Sequence, residues 1–91
     1  MLHTKPYDHM SKDVSIIIVN WNAKNFTCQC IQSIYKHTRG TSFEIIVVDN
    51  ASHDGSVAYL RAAFPTARIV AGQRNIGFAA ANNVGYQHAQ G

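Results

Sequence analysis

Acidic residues are scarce in this sequence: of 91 residues, only Asp8, Asp13, Glu44, Asp49 and Asp54 carry a carboxylate. No two form an Asp-x-Asp pair, so no metal ligand set can be read from them. Glycine is missing from the turn after the first apolar run, which reads NWNAKN over residues 20–25. Dinucleotide folds and P-loops need bare backbone there so that phosphate can approach a helix N-terminus, and both are thereby excluded. No apolar run approaches the roughly 20 residues that span a bilayer, and the polar start lacks the hydrophobic core of a secretory signal. The eight Lys and Arg are scattered from Lys5 to Arg74 without a basic run, so a nucleic-acid partner is not indicated. The two cysteines, Cys28 and Cys30, fall two apart on a predicted helix, where side chains diverge by about 100° per residue. They can neither bridge nor chelate together, and free thiols fit a reducing compartment.

What is present is a globular pattern, 46% hydrophobic, in a chain short enough for one small domain. Residues 1–12 read as a flexible N-terminal segment in which His3 and His9 are solvated. Two runs, Val14–Asn20 and the central Ile45–Val48 within the stretch Phe43–Ser56, are apolar without alternation and rich in β-branched residues, as in strands buried on both faces, and the second stops at Asp49 and Asn50. A shorter run, Ala67–Ala71, predicts a third strand. Helices are expected from Asn25 to Arg39, over the segment DGSVAYLRAAFP, and from Ile76 to about Ala89. Phe26, Cys30, Ile31 and Ile34 mark the buried face of the first. Asn25, either Ser52 or Asp54, and Asn75 are the candidate N-caps, Gly40 the first helix's C-terminal stop.

The order β-α-β-α-β-α predicts a three-layer, Rossmann-like α/β fold: a parallel sheet in strand order 3-2-1, with two helices on one face and the third on the other. Ligands of such sheets bind beyond the carboxyl ends of the strands. There the sequence places Asn20, Trp21 and Asn22 after the first strand, and Asp49 and Asn50 after the second. Trp21 has two readings, a ring packed between strand and helix or a platform for a base, and the ring alone does not separate them. Asp49 ends a buried strand and needs partners, which a ligand crevice would supply. Asp54 reads as a helix cap. Arg74 is either an anion contact beside a helix N-terminus or a solvated loop residue.

VSIIIVNWN, FEIIVVDNASHDGS and RNIGFAAANNVG, taken in order over residues 14–91, resemble the N-terminal half of the nucleotide-binding domain of family 2 glycosyltransferases, in particular rhamnosyltransferase-like members. The resemblance implies a GT-A type fold and transfer of a sugar, with inversion, from a UDP- or dTDP-linked donor to an acceptor hydroxyl, as in polysaccharide biosynthesis. By position it implies that Asn20, Trp21, Asn22, Asp49, Asn50, Arg74 and Asn75 bind the nucleotide. Trp21 would border the base, Asp49 and Asn50 would meet the base edge or ribose, and Arg74 and Asn75 would lie near the phosphates. Ser52, Asp54, Gly55 and Gly77 would shape turns and caps, with Gly77 and Gly85 as close-packing positions. A cytoplasmic setting, or the cytoplasmic face of a membrane, goes with this reading.

The family's Asp-x-Asp, which holds Mg or Mn, and its catalytic base belong beyond the three matched segments. Residues 13–91 therefore read as a partial nucleotide-binding domain with no catalytic residue or cofactor of its own, inactive by itself. The alternative is an assembly module that keeps the fold without the chemistry. In either case the first strand, Val14–Asn20, would form a bare apolar edge. A homodimer through that exposed strand is expected, pairing antiparallel to make six strands, with exchange of the third helix as the second choice.

Overall fold

The computed structural model describes residues 2–6, as backbone, and residues 13–89. Its elements are β1 (Leu2–Pro6), β2 (Val14–Asn20), α1 (Lys24–His37), β3 (Phe43–Asp49), α2 (Ser56–Ala63), β4 (Arg68–Ala71) and α3 (Phe78–His88). The three expected strands are β2, β3 and β4. They pair in parallel in the expected 3-2-1 order, with Ile16 beside Ile45 and Val48 beside Val70.

Both sheet faces are covered, as the continuous apolar runs require. Ile16, Ile18, Ile45, Val47 and Ile69 meet Ile31 of α1 and Leu60 of α2 on one face. Ile17, Ile46 and Val48 meet Ala81 of α3 on the other. Side chains such as Ile31 and Leu60, with no exposed surface, each stabilise the fold by about 1.5–3 kcal/mol. The α3 layer is thinner because its contact residues are small. A Cβ on Gly85 would collide with the Ile17 side chain, so glycine there sets how closely α3 lies on β2.

The first 12 residues differ from expectation. Leu2–Pro6 form a strand antiparallel to β2, with Leu2 opposite Ile18 and Pro6 opposite Val14. The remaining positions of that segment, 1 and 7–12, with His9 among them, lie outside the described residues, as do the side chains of β1. The edge of β2 is therefore not bare, and pairing of two copies through it is corrected: the chain's own N-terminal segment takes that place. Intramolecular pairing wins because a segment in the same chain is presented at high effective concentration. The new edge strand carries Lys5 and Pro6, residue types that discourage further pairing.

Helix ends also shift. Ala23, not Asn25, is the N-cap of α1, and the helix ends at His37 with Thr38 as C-cap, so Gly40 is not its immediate stop. The N-caps of α2 and α3 are Gly55 and Gly77. Gly77 is not a close-packing residue, since nothing lies within 4 Å of where its Cβ would be. Its φ of 87° is what calls for glycine.

Candidate functional site

The parallel register sets Asn20 beside Asp49 at the carboxyl ends of β2 and β3. Both are buried, and they form the centre of a polar latch. Asp49 Oδ1 accepts from Asn20 Nδ2 and from Ser52 Oγ, each at 2.7 Å, and Oδ2 accepts from the Ser52 amide at 2.9 Å. Asn20 Oδ1 accepts from Thr27 Oγ1 of α1 at 2.6 Å. Ser52 Oγ in turn accepts from the Asn22 amide at 2.8 Å, and Asn22 Oδ1 accepts from the His53 amide at 2.7 Å. Asn22 and Ala51 both take left-handed backbone, with φ of 49° and 62°, which lets the two loops turn back on each other.

Asp54 binds the next layer. Its Oδ2 accepts from the Lys24 amide at 3.1 Å, and its Oδ1 accepts from the amide and hydroxyl of Ser56. One carboxylate thus serves the N-termini of both α1 and α2, neither of which has a side-chain acceptor at its own N-cap. The Ser56 hydroxyl above all holds the Asp54 carboxyl below the ordinary aspartate range, against burial, the second-largest effect, with the backbone amides of Lys24 and Ser56 adding to the lowering.

Asn50 serves the loop between β4 and α3. Its amide donates to the Asn20 carbonyl at 2.8 Å, which anchors it to β2. Its side-chain Oδ1 accepts from the Ile76 amide, and its Nδ2 donates to the Gly77 carbonyl, both at 3.1 Å. Asn75 Oδ1 accepts from the Gly77 amide at 2.8 Å, just outside α3.

Beside these ties opens a pocket of about 540 Å³. Ile18 and Val19 of β2 form its floor, Ala23, Phe26, Thr27 and Cys30 one wall, and Asn75, Gly77 and Phe78 the other, with Trp21 and Asn50 completing the lining. Trp21 is 55% exposed, Phe26 69% and Phe78 50%. Large rings left in solvent around a concave apolar surface are what a flat ligand needs for stacking. The pocket lies at the end of β2 between α1 on one sheet face and α3 on the other, the topological switch point at which open α/β sheets bind ligands.

The sequence pattern described as glycosyl transferase family 2 matches residues 15–91. The chain belongs to this family. No curated protein and no solved structure matches it. Membership agrees with the parallel three-strand core and its helices, and it makes the region a nucleotide-sugar-binding part of a glycosyltransferase.

Set against that family, the expected site residues divide. Trp21, Asn50 and Asn75 line the pocket, whereas Asn20, Asn22, Asp49 and Arg74 are not in its lining. Asn20 and Asp49 turn inward to each other, so the acid that was expected at a base edge finds its partners inside the protein. Arg74 is exposed on the loop before α3. Phe26 is a correction, for it was placed on the buried face of α1. Thr27 and Ile31 occupy that face, and Phe26 with Cys30 forms a second apolar stripe one position away, turned to the pocket. Phe78 was not singled out as a ligand-facing ring, although an aromatic directly after an exposed loop and Gly77 was the available signal. Cys28 and Cys30 are both free thiols.

The divalent ion that the family implies does not fit the residues present. Among the described residues no group of three His, Cys, Asp or Glu could hold a metal. The carboxylates of Asp49 and Asp54 are engaged by amides and hydroxyls. Among the described residues, no helix is long and apolar enough to cross a membrane.

Proposed function

We propose that this chain holds the nucleotide of a UDP- or dTDP-linked sugar for a rhamnosyltransferase-like enzyme of polysaccharide biosynthesis that transfers with inversion. The observation that carries the reading is Trp21: a tryptophan 55% exposed at the mouth of an apolar pocket, at the strand end where this architecture binds ligands. The base stacks on the aromatic lining, the ribose lies toward Asn75, and the diphosphate extends toward Arg74 and the N-terminus of α3, whose dipole favours anions. Asn20, Asn22 and Asp49 support the site by locking the loops that carry Trp21. The two unpaired thiols support a reducing, cytoplasmic setting.

On this reading the described residues bind without catalysing. Transfer needs a base at the acceptor hydroxyl and stabilisation of the leaving diphosphate. The pocket lining contains no carboxylate and no histidine for the first task. Calorimetric titration with UDP and with dTDP, each with and without magnesium, tests the proposal. Weak binding that magnesium leaves unchanged is expected, with no nucleotide released from an added nucleotide sugar. Absence of binding by both diphosphates would overturn it.

A further inference from the structure

The segment 71–80, which carries one pocket wall, is exposed at every position. Ile76 and Phe78 in it are 40% and 50% exposed, and hydrogen bonds add to this partial packing to fix the segment. Two of them come from Asn50, itself only 3% exposed and fixed to β2 through its backbone. The Ile76 amide donates to Oδ1, and Nδ2 donates to the Gly77 carbonyl. At neutral pH a carboxamide offers an acceptor and a donor side by side. An ionised aspartate offers two acceptors, and one of them would face the Gly77 carbonyl oxygen.

From this geometry we infer that Asn50 is a positioning residue, whose amide clips the β4–α3 loop and so sets the pocket wall of Asn75, Gly77 and Phe78, and that it is not a reader of the base edge. The inference rests on the nucleotide reading only where nucleotide affinity is the readout. Its physical core is that Asn50 works through Ile76 and Gly77. Each side-chain group already makes one hydrogen bond to the loop before any ligand arrives.

Asn50→Asp separates the two roles by the sign of a pH dependence. As a clip, the ionised aspartate at pH 8 repels the Gly77 carbonyl, and affinity for UDP falls at least tenfold relative to the parent. As the pH is lowered to 4 and below, through the ordinary aspartate range of about 3.9, the carboxyl that protonates again presents one donor and one acceptor, and affinity returns toward that of the parent measured at the same pH. As a base reader, the carboxylate would be the stronger acceptor for a ring N–H, so affinity would hold or rise at pH 8 and fall on protonation. The ionisable groups of the surrounding elements do not confuse this comparison. Asp49 is tied to Asn20 and Ser52, the Lys24 ammonium lies over the Tyr59 ring, and His88 at the far end of α3 is bonded to the Val84 carbonyl. Arg74 in the loop, His53 beyond the latch and the Cys30 thiol in the lining are the same in parent and variant.

A second measurement needs no nucleotide. In free Asn50→Ala, the Ile76 amide should exchange with solvent at least tenfold faster than in the parent at the same pH, while Ile46 and Val47 keep their protection. Unchanged protection of Ile76 would overturn the clip, and so would an Asn50→Asp variant that binds best at pH 8. If the parent binds neither UDP nor dTDP yet Ile76 loses protection in Asn50→Ala, the clip stands and the nucleotide reading fails.

Discussion

Two neighbouring regions at one end of the sheet treat their side chains in opposite ways. The latch buries polar groups: Asn20, Thr27, Asp49 and Ser56 are 2% exposed or less. The pocket rim exposes apolar ones, with Trp21, Phe26 and Phe78 each at 50% or more. Burying a polar group is tolerable only when its hydrogen bonds are made, and in the latch they are. Exposing large rings gains nothing for folding, so their presence around a concavity points to a ligand. The most conspicuous polar residues here tie the loops together, whereas the rings beside them line the pocket.

Breaking the latch should have the largest effect. Asp49→Ala removes the acceptor for Asn20 and for both donors of Ser52, and leaves buried groups unpaired. A loss of about 3 kcal/mol in unfolding free energy is expected, read from a urea midpoint. A loss below about 1 kcal/mol would show that the latch is not structural. Next comes the rim. Trp21→Ala should leave stability within about 0.5 kcal/mol, as exposed positions do, yet reduce affinity for UDP by about tenfold, in line with a stacking contribution of about 1–3 kcal/mol. A Trp21→Ala protein that is markedly unstable would place the ring with the latch, and the comparison would fail.

Thr27→Val sharpens the same contrast with a smaller change, since it keeps the shape and deletes the hydroxyl that donates to Asn20 Oδ1. About 1 kcal/mol of stability should be lost, measured by denaturant unfolding. The smallest effect belongs to Asp54. Its folded-state pKa is lowered by Ser56 and the helix amides, so its contribution is complete above the ordinary aspartate range and fades as pH falls through the folded value. Asp54→Asn should therefore flatten the acid side of the stability-against-pH curve, through a modest loss at pH 7 that disappears as pH falls through the folded value. An unchanged acid limb would contradict the shared-cap geometry.

Much of the fold was legible because the strands are buried on both faces. Val14–Asn20 reads as a continuous apolar run and is β2 with those limits, and the run Ile45–Val48 is the middle of β3, which extends to Phe43 and Asp49. β1 was not legible. Leu2–Pro6 has one apolar aliphatic residue and a proline, with no periodicity, and its pairing depends on an edge that exists only after β2 is in the sheet. Sequence brought Trp21, Asn50 and Asn75 of the pocket lining to notice, but not the inward hydrogen bond of Asn20 to Asp49. That Asn20 and Asp49 stand side by side is a fact of parallel register, and register is invisible in the linear chain. The same holds for Asn50, whose partners Ile76 and Gly77 reach it only through the crossing of β4 to α3. Phe26 was misplaced by one helical position, since Phe26/Cys30 and Thr27/Ile31 are equally good i, i+4 pairs.

The proposed function puts a nucleoside diphosphate in the pocket against Trp21. Trp21 is the only tryptophan in the chain, so its fluorescence reports this site alone. Titration with UDP at constant ionic strength, followed by that emission, should give a saturable change that the same concentration of inorganic pyrophosphate does not reproduce. An emission that stays unchanged through millimolar UDP, in protein that calorimetry shows to be binding the nucleotide, would put the ligand elsewhere and contradict the account.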